Sequence, residues 1–105
     1  MPIIENLTRV TGRARAARPD AARPGYTLLT LAVDSSDPVP DVADLVGPGV
    51  VGTDLDVSVR DPLLAALVEG SAVELVVART GDPAVLARPH PLPGQMVVDG
   101  REVTG

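Results

Sequence analysis

The chain has 105 residues, enough for one hydrophobic core and too few for two. It contains no cysteine, which excludes disulfides and thiolate metal sites, and its net charge of −5 repels nucleic acid and anionic membranes at long range. Apolar residues make up 45% of the sequence but Tyr26 is the only aromatic ring, so the core must be assembled from Val, Leu and Ala. Such a core buries less area per residue than an aromatic one, and association with a partner or a second copy is therefore an expectation.

All nine basic residues are Arg and none is Lys, a composition which, with abundant Ala, Val, Gly and Pro, fits a GC-rich bacterial genome. Uncharged runs reach only 10 residues, far below the ~20 of a membrane span, and Met1 to Asn6 show no basic stretch followed by an apolar one. A cytoplasmic protein without membrane attachment is expected. Charge is unevenly spread: residues 1–26 hold five Arg against two acids, a balance of +3, and residues 27–105 hold four Arg against twelve acids, a balance of −8.

Along the chain, Leu7 to Ala17 reads as a strand with Val10, Gly12, Ala14 and Ala16 on one face and Arg9, Thr11, Arg13 and Arg15 on the other. Gly12 in mid-strand predicts a bend or bulge. A turn over Arg18 to Gly25 leads to a second strand, Tyr26 to Asp34, with Leu29, Leu31 and Val33 inward. Three prolines and three glycines between Ser35 and Gly52 predict a long loop, with a helical turn at Asp41 to Val46. Thr53 to Arg60 alternates as a third strand. Asp61 as N-cap, Pro62 at the first helical position and Gly70 past the end predict a short helix carrying Leu63, Leu64, Leu67 and Val68. Ser71 to Thr80 and Ala84 to Arg88 are the fourth and fifth strands. Arg88 to Gly94 is a proline-rich, strand-breaking stretch, and Met96–Val98 faces Arg101–Val103 across Asp99-Gly100, a two-residue hairpin signal.

This order of strands, with a short helix between the third and fourth, resembles the OB-fold, a five-stranded barrel. More narrowly, Tyr26 to Asp34, Asp54 to Val59 and Leu63 to Leu75 resemble the second strand, third strand, and helix with following strand of bacterial single-stranded DNA-binding proteins. The resemblance covers roughly residues 7–88 as a layout and implies a base-stacking, phosphate-tracking surface. Two features depart from it. Only Tyr26 could stack a base, where stacking contributes ~1–3 kcal/mol per base, and the chain ends Arg101-Glu102-Val103-Thr104-Gly105 instead of in an acidic tip.

Among candidate sites, Gly47-Pro48-Gly49-Val50-Val51-Gly52 matches a dinucleotide glycine motif in letters, but a strand follows it where a helix is needed. His90 is the sole histidine, so no triad or zinc site has a second imidazole. Asp54 with Asp56, and Asp41 with Asp44, are read as solvated acidic faces. Asn6-Leu7-Thr8 fits a glycosylation acceptor but lacks a secretion signal to make it relevant.

The stripe Arg9, Arg13 and Arg15 carries the most information, since guanidiniums on one strand face can grip phosphates or pair with Asp54, Asp56 or Glu74. The expectation is an all-β, OB-like five-stranded barrel over residues 1–94 with one short helix, and a C-terminal hairpin or tail over 95–105. It is expected to be a protein-interaction or self-assembly module and not an enzyme, with no cofactor or metal. Arg9, Arg13, Arg15, Tyr26 and Arg60 are the partner-binding candidates, and Val97, Val98 and Val103 those for self-association. Single-stranded nucleic acid is the alternative partner.

Overall fold

The structure, a computed structural model, describes residues 5–104. Apolar alternation resolves into seven strands among them: β1 (Thr8–Pro19), β2 (Tyr26–Pro38), β3 (Asp54–Arg60), β4 (Ala72–Ala78), β5 (Val85–Ala87), β6 (Met96–Val98) and β7 (Arg101–Glu102). Five of these close on themselves in the order β1-β2-β3-β5-β4 and back to β1, every pairing antiparallel except β3 with β5. Closure removes the exposed edges that an open sheet of this size would present. The barrel interior is aliphatic, as the composition requires: Val10, Leu29, Leu31, Val57, Val59, Leu75, Val77 and Val85 are all fully buried.

β1 serves both halves of the barrel, pairing with β2 along its length and with β4 over Thr8–Arg13. The register slips at Thr11/Gly12 and again at Ala14/Ala16, which is the bend that the mid-strand glycine announces. A Cβ on Gly12 would collide with the Ala32 carbonyl, so the two backbones approach here as only glycine allows.

Three local elements differ from expectation. β2 runs on through Ser35 to Pro38, where a loop is predicted, because β1 begins at Thr8 and its residues Thr8 to Thr11 pair with Pro38 to Ser35. The helix between β3 and β4 is shortened to a 3-10 turn at Asp61–Leu64, because Asp61 accepts the Thr27 hydroxyl (2.7 Å) and does not cap the turn, while Ser71 Oγ takes the Val68 N–H. In the long loop the helical turn falls at Pro48–Val50 and not at Asp41 to Val46. Asp44 makes the difference: its Oδ1 accepts N–H bonds from Val46 (3.1 Å) and Gly47 (2.8 Å) and the Thr8 hydroxyl (2.7 Å), a side-chain turn that competes with helix.

The C-terminal segment continues the sheet. β6 pairs with β4 and β7 with β6 across Asp99-Gly100, whose φ values of 50° and 79° suit the two-residue hairpin. β5 and β6 run along the same edge of β4, as one strand interrupted by residues 88–95: Val77 opposes Ala87, and two residues along β4, Leu75 opposes Met96. Both ends of the excursion bond to a single residue, the Arg88 N–H donating to Val76 O (3.2 Å) and the Val76 N–H to Gln95 O (3.0 Å). No helix among the described residues is long and apolar enough to cross a membrane.

Candidate functional site

Alternation along β1 turns Val10, Gly12 and Ala14 inward and leaves Arg9, Thr11, Arg13 and Arg15 outside. The outward arginines meet acids or carbonyls of neighbouring strands. Arg9 sits diagonally from Glu74 on β4 and contacts its Oε1 at 3.2 Å, while donating to Gly94 O at 3.0 Å. Arg13 is exposed and donates to Gly70 O at 3.3 Å. Arg15 reaches across β2 to Asp54 at 3.7 Å, and Arg18, beyond the second bulge, reaches Asp56 at 3.0 Å. Arg60 lies at the far end of β3 and donates from Nε to Pro89 O at 2.7 Å. Tyr26, opposite Arg60, carries the Arg23 guanidinium 5.3 Å from its ring centre.

The candidate residues are thus dispersed, with Arg9 and Arg60 holding the two ends of the proline-rich excursion and Arg15 facing the acids of β3. Each surface ion pair adds little stability, about 0–1 kcal/mol, but together they lower the positive potential that a phosphate would meet. Asp56 accepts from Thr30 (2.8 Å) and Arg18, and these bonds, the hydroxyl first, hold its carboxyl below the ordinary range against the opposing effect of burial. Asp44 is lowered too, by the Thr8 hydroxyl first and then the Gly47 N–H.

The outer face of β2 and β3 carries a cleft of about 320 Å³ between the β1–β2 turn and the loop before β5. Leu28, Leu86, Ala84 and Pro83 supply apolar surface, and charged groups rim it. Arg18 pairs with Asp56, Arg23 pairs with Asp82 (3.5 Å), and Asp20 accepts Ser58 Oγ at 2.7 Å and the Ala22 N–H at 3.0 Å. Asp20 is in no ion pair among the described residues. None of the candidate residues drawn from the sequence lines this cleft, apart from the neighbouring acid Asp56. A signal for it is nonetheless present there: Leu28 and Leu86 are large apolar side chains at outward positions of β2 and β5, where alternation calls for polar ones.

Of the self-association candidates, Val98 is a core residue, 3% exposed, and Val103 packs half-buried against the core; Val97, also half-buried, lies on the outer side of β6. Asn6 is buried and exchanges two hydrogen bonds with the Arg79 backbone (2.7 and 3.0 Å), extending the sheet by side chain. The Gly47–Gly52 segment holds the 3-10 turn, and Gly47 O accepts Ser36 Oγ at 2.8 Å. Among the described residues no three His, Asp or Glu side chains are placed to hold a metal ion. No protein-family model matches the chain, and no curated protein matches it.

Proposed function

We propose that this chain is a non-catalytic protein-interaction module built on an OB-like barrel, receiving an extended protein segment in the β2–β3 cleft. The carrying observation is the state of the outward cations: Arg9, Arg15, Arg18 and Arg23 each stand in an ion pair, while the cleft beside them offers apolar surface. A single-stranded nucleic acid is held by unpaired cations along its phosphates and by rings that stack its bases. An aliphatic side chain needs an apolar recess with hydrogen-bonding groups at its rim. At about 320 Å³ the cleft is at the small end of ligand pockets, which span roughly 300–1,000 Å³, and so suits one or two side chains.

A second reading, single-stranded nucleic acid, draws on the resemblance to bacterial single-stranded DNA-binding proteins. One observation favours it: the cleft lies on the strand pair and between the loops that OB-folds use for oligonucleotides, with Arg13 exposed on the neighbouring strand. Selection from a random-peptide phage library separates the two. Peptides that bind the wild type and are lost on Leu28→Arg support the protein reading; a library that yields no binder sensitive to that change overturns it.

A further inference from the structure

The excursion between β5 and β6 is held at both of its ends. Its ends close on one residue, Val76, and it is held again by side chains, Arg60 Nε on Pro89 O (2.7 Å) and Arg9 on Gly94 O (3.0 Å). These arginines act where the local backbone cannot: Pro89, Pro91 and Pro93 have no N–H, so the segment is rich in acceptors and poor in donors. Its tip is a turn in which the Gln95 N–H donates to Leu92 O (2.9 Å) and Gln95 Oε1 accepts the Leu92 N–H (2.9 Å). Pro91 is buried, yet Leu92, between two prolines, is 64% exposed. A fixed backbone that presents one large aliphatic side chain to solvent loses little conformational entropy on docking, the property of a preorganised anchor.

The same molecule offers a recess for such an anchor. The cleft has Leu28, Leu86 and Ala84 within it, and its rim carries three carboxylates, Asp20, Asp56 and Asp82, against two guanidiniums. The surplus carboxylate is Asp20. On the excursion Arg88 is exposed and makes no ion pair among the described residues. No residue of the excursion lines the cleft, so knob and recess occupy different parts of one chain.

Building on the protein-interaction reading, we infer that the cleft of one copy receives Leu92 of another, with Arg88 of the incoming copy set against Asp20 of the receiving one. Each copy gives one knob and accepts one, so the contacts close reciprocally in a two-fold dimer or run on to a ring or a chain according to the angle between knob and recess. This places self-association on the excursion and the cleft instead of on the C-terminal hairpin.

The test is sedimentation and light scattering of the full chain over a concentration series, with Leu92→Asp, Leu28→Arg and an equimolar mixture of the two. Thermal melts show first that both variants fold, and Leu86→Arg replaces Leu28→Arg if that one does not. The expected result is concentration-dependent association of the wild type, monomers for each variant alone, and a 1:1 dimer in the mixture, since one variant keeps its knob and the other its recess. A mixture that stays monomeric, or variants that associate like the wild type, would overturn the proposal. So would a wild type that is monomeric throughout. In that last case the peptide selection still stands by itself: cleft-binding peptides would uphold protein binding and remove only another copy of the chain as its object, whereas their absence would remove both.

Discussion

The outward face of β1 and the proline-rich excursion make an instructive pair. The β1 face carries the most conspicuous chemistry in the sequence, three arginines on one side of the strand, yet the fold answers them with Glu74, Asp54 and the carbonyls of Gly70 and Gly94. The excursion has the composition of a mere strand-breaker, yet two arginines and a closed turn fix it around an exposed leucine. Charge written in a sequence is not charge available to a ligand. The arginines also connect the regions, because Arg9 and Arg60 are what hold the excursion in place.

Substitutions can break this contrast in graded steps. The largest effect is expected at Gly12, on whose close approach to Ala32 the bend of β1 depends: Gly12→Val should cost about 3 kcal/mol or more, read as a fall in the urea midpoint. Val98→Asp should be comparably damaging, since it places a carboxylate in the core, while Val97→Asp, on the outer side of the same strand, should cost well under half as much. Equal losses at 97 and 98 would contradict the described orientation of β6.

These residues also mark how far the sequence can be read. Inward Leu29, Leu31 and Val33 at alternate positions, the alternation over Thr53 to Arg60, a glycine at a bulge and Asp-Gly at a hairpin are local signals, and they lead to the barrel because short-range sterics set them. The helix after β3 is shorter than its sequence predicts because its cap signal, Asp61, is taken by Thr27, a residue 34 positions away. The cleft cannot be assembled from the sequence, because its apolar surface joins Leu28 to Leu86 through the β3–β5 pairing, the one parallel contact of the barrel. Likewise, nothing local shows that Gly94 O is the acceptor for Arg9, 85 positions earlier.

Arg9→Ala should cost about 1 kcal/mol, since it removes a half-exposed ion pair and a hydrogen bond, and it should speed amide exchange at Gln95 more than at any residue of β2. An unchanged exchange rate at Gln95 would show that the excursion stands without its clamp. The smallest effect concerns pH. The carboxyls of Asp44 and Asp56 titrate below their ordinary range in the folded chain, so the stability they add is complete above that range and declines as the pH falls through it. Urea midpoints measured from neutral to acid pH should fall for the wild type and fall less for Asp56→Asn.

Fluorescence anisotropy of labelled oligo-dT at low salt tests most directly whether the arginine face is already satisfied. Non-specific binding to DNA through phosphate contacts has dissociation constants of roughly 10⁻⁴–10⁻⁶ M at physiological salt. The pairing of Arg9, Arg15 and Arg18 with acids, and the hold of the Gly70 carbonyl on Arg13, predict no saturable binding in that range, even at low salt. Saturable, salt-sensitive binding that Arg13→Glu abolishes would show instead that the β1 face still takes phosphate, and would contradict the protein-interaction reading.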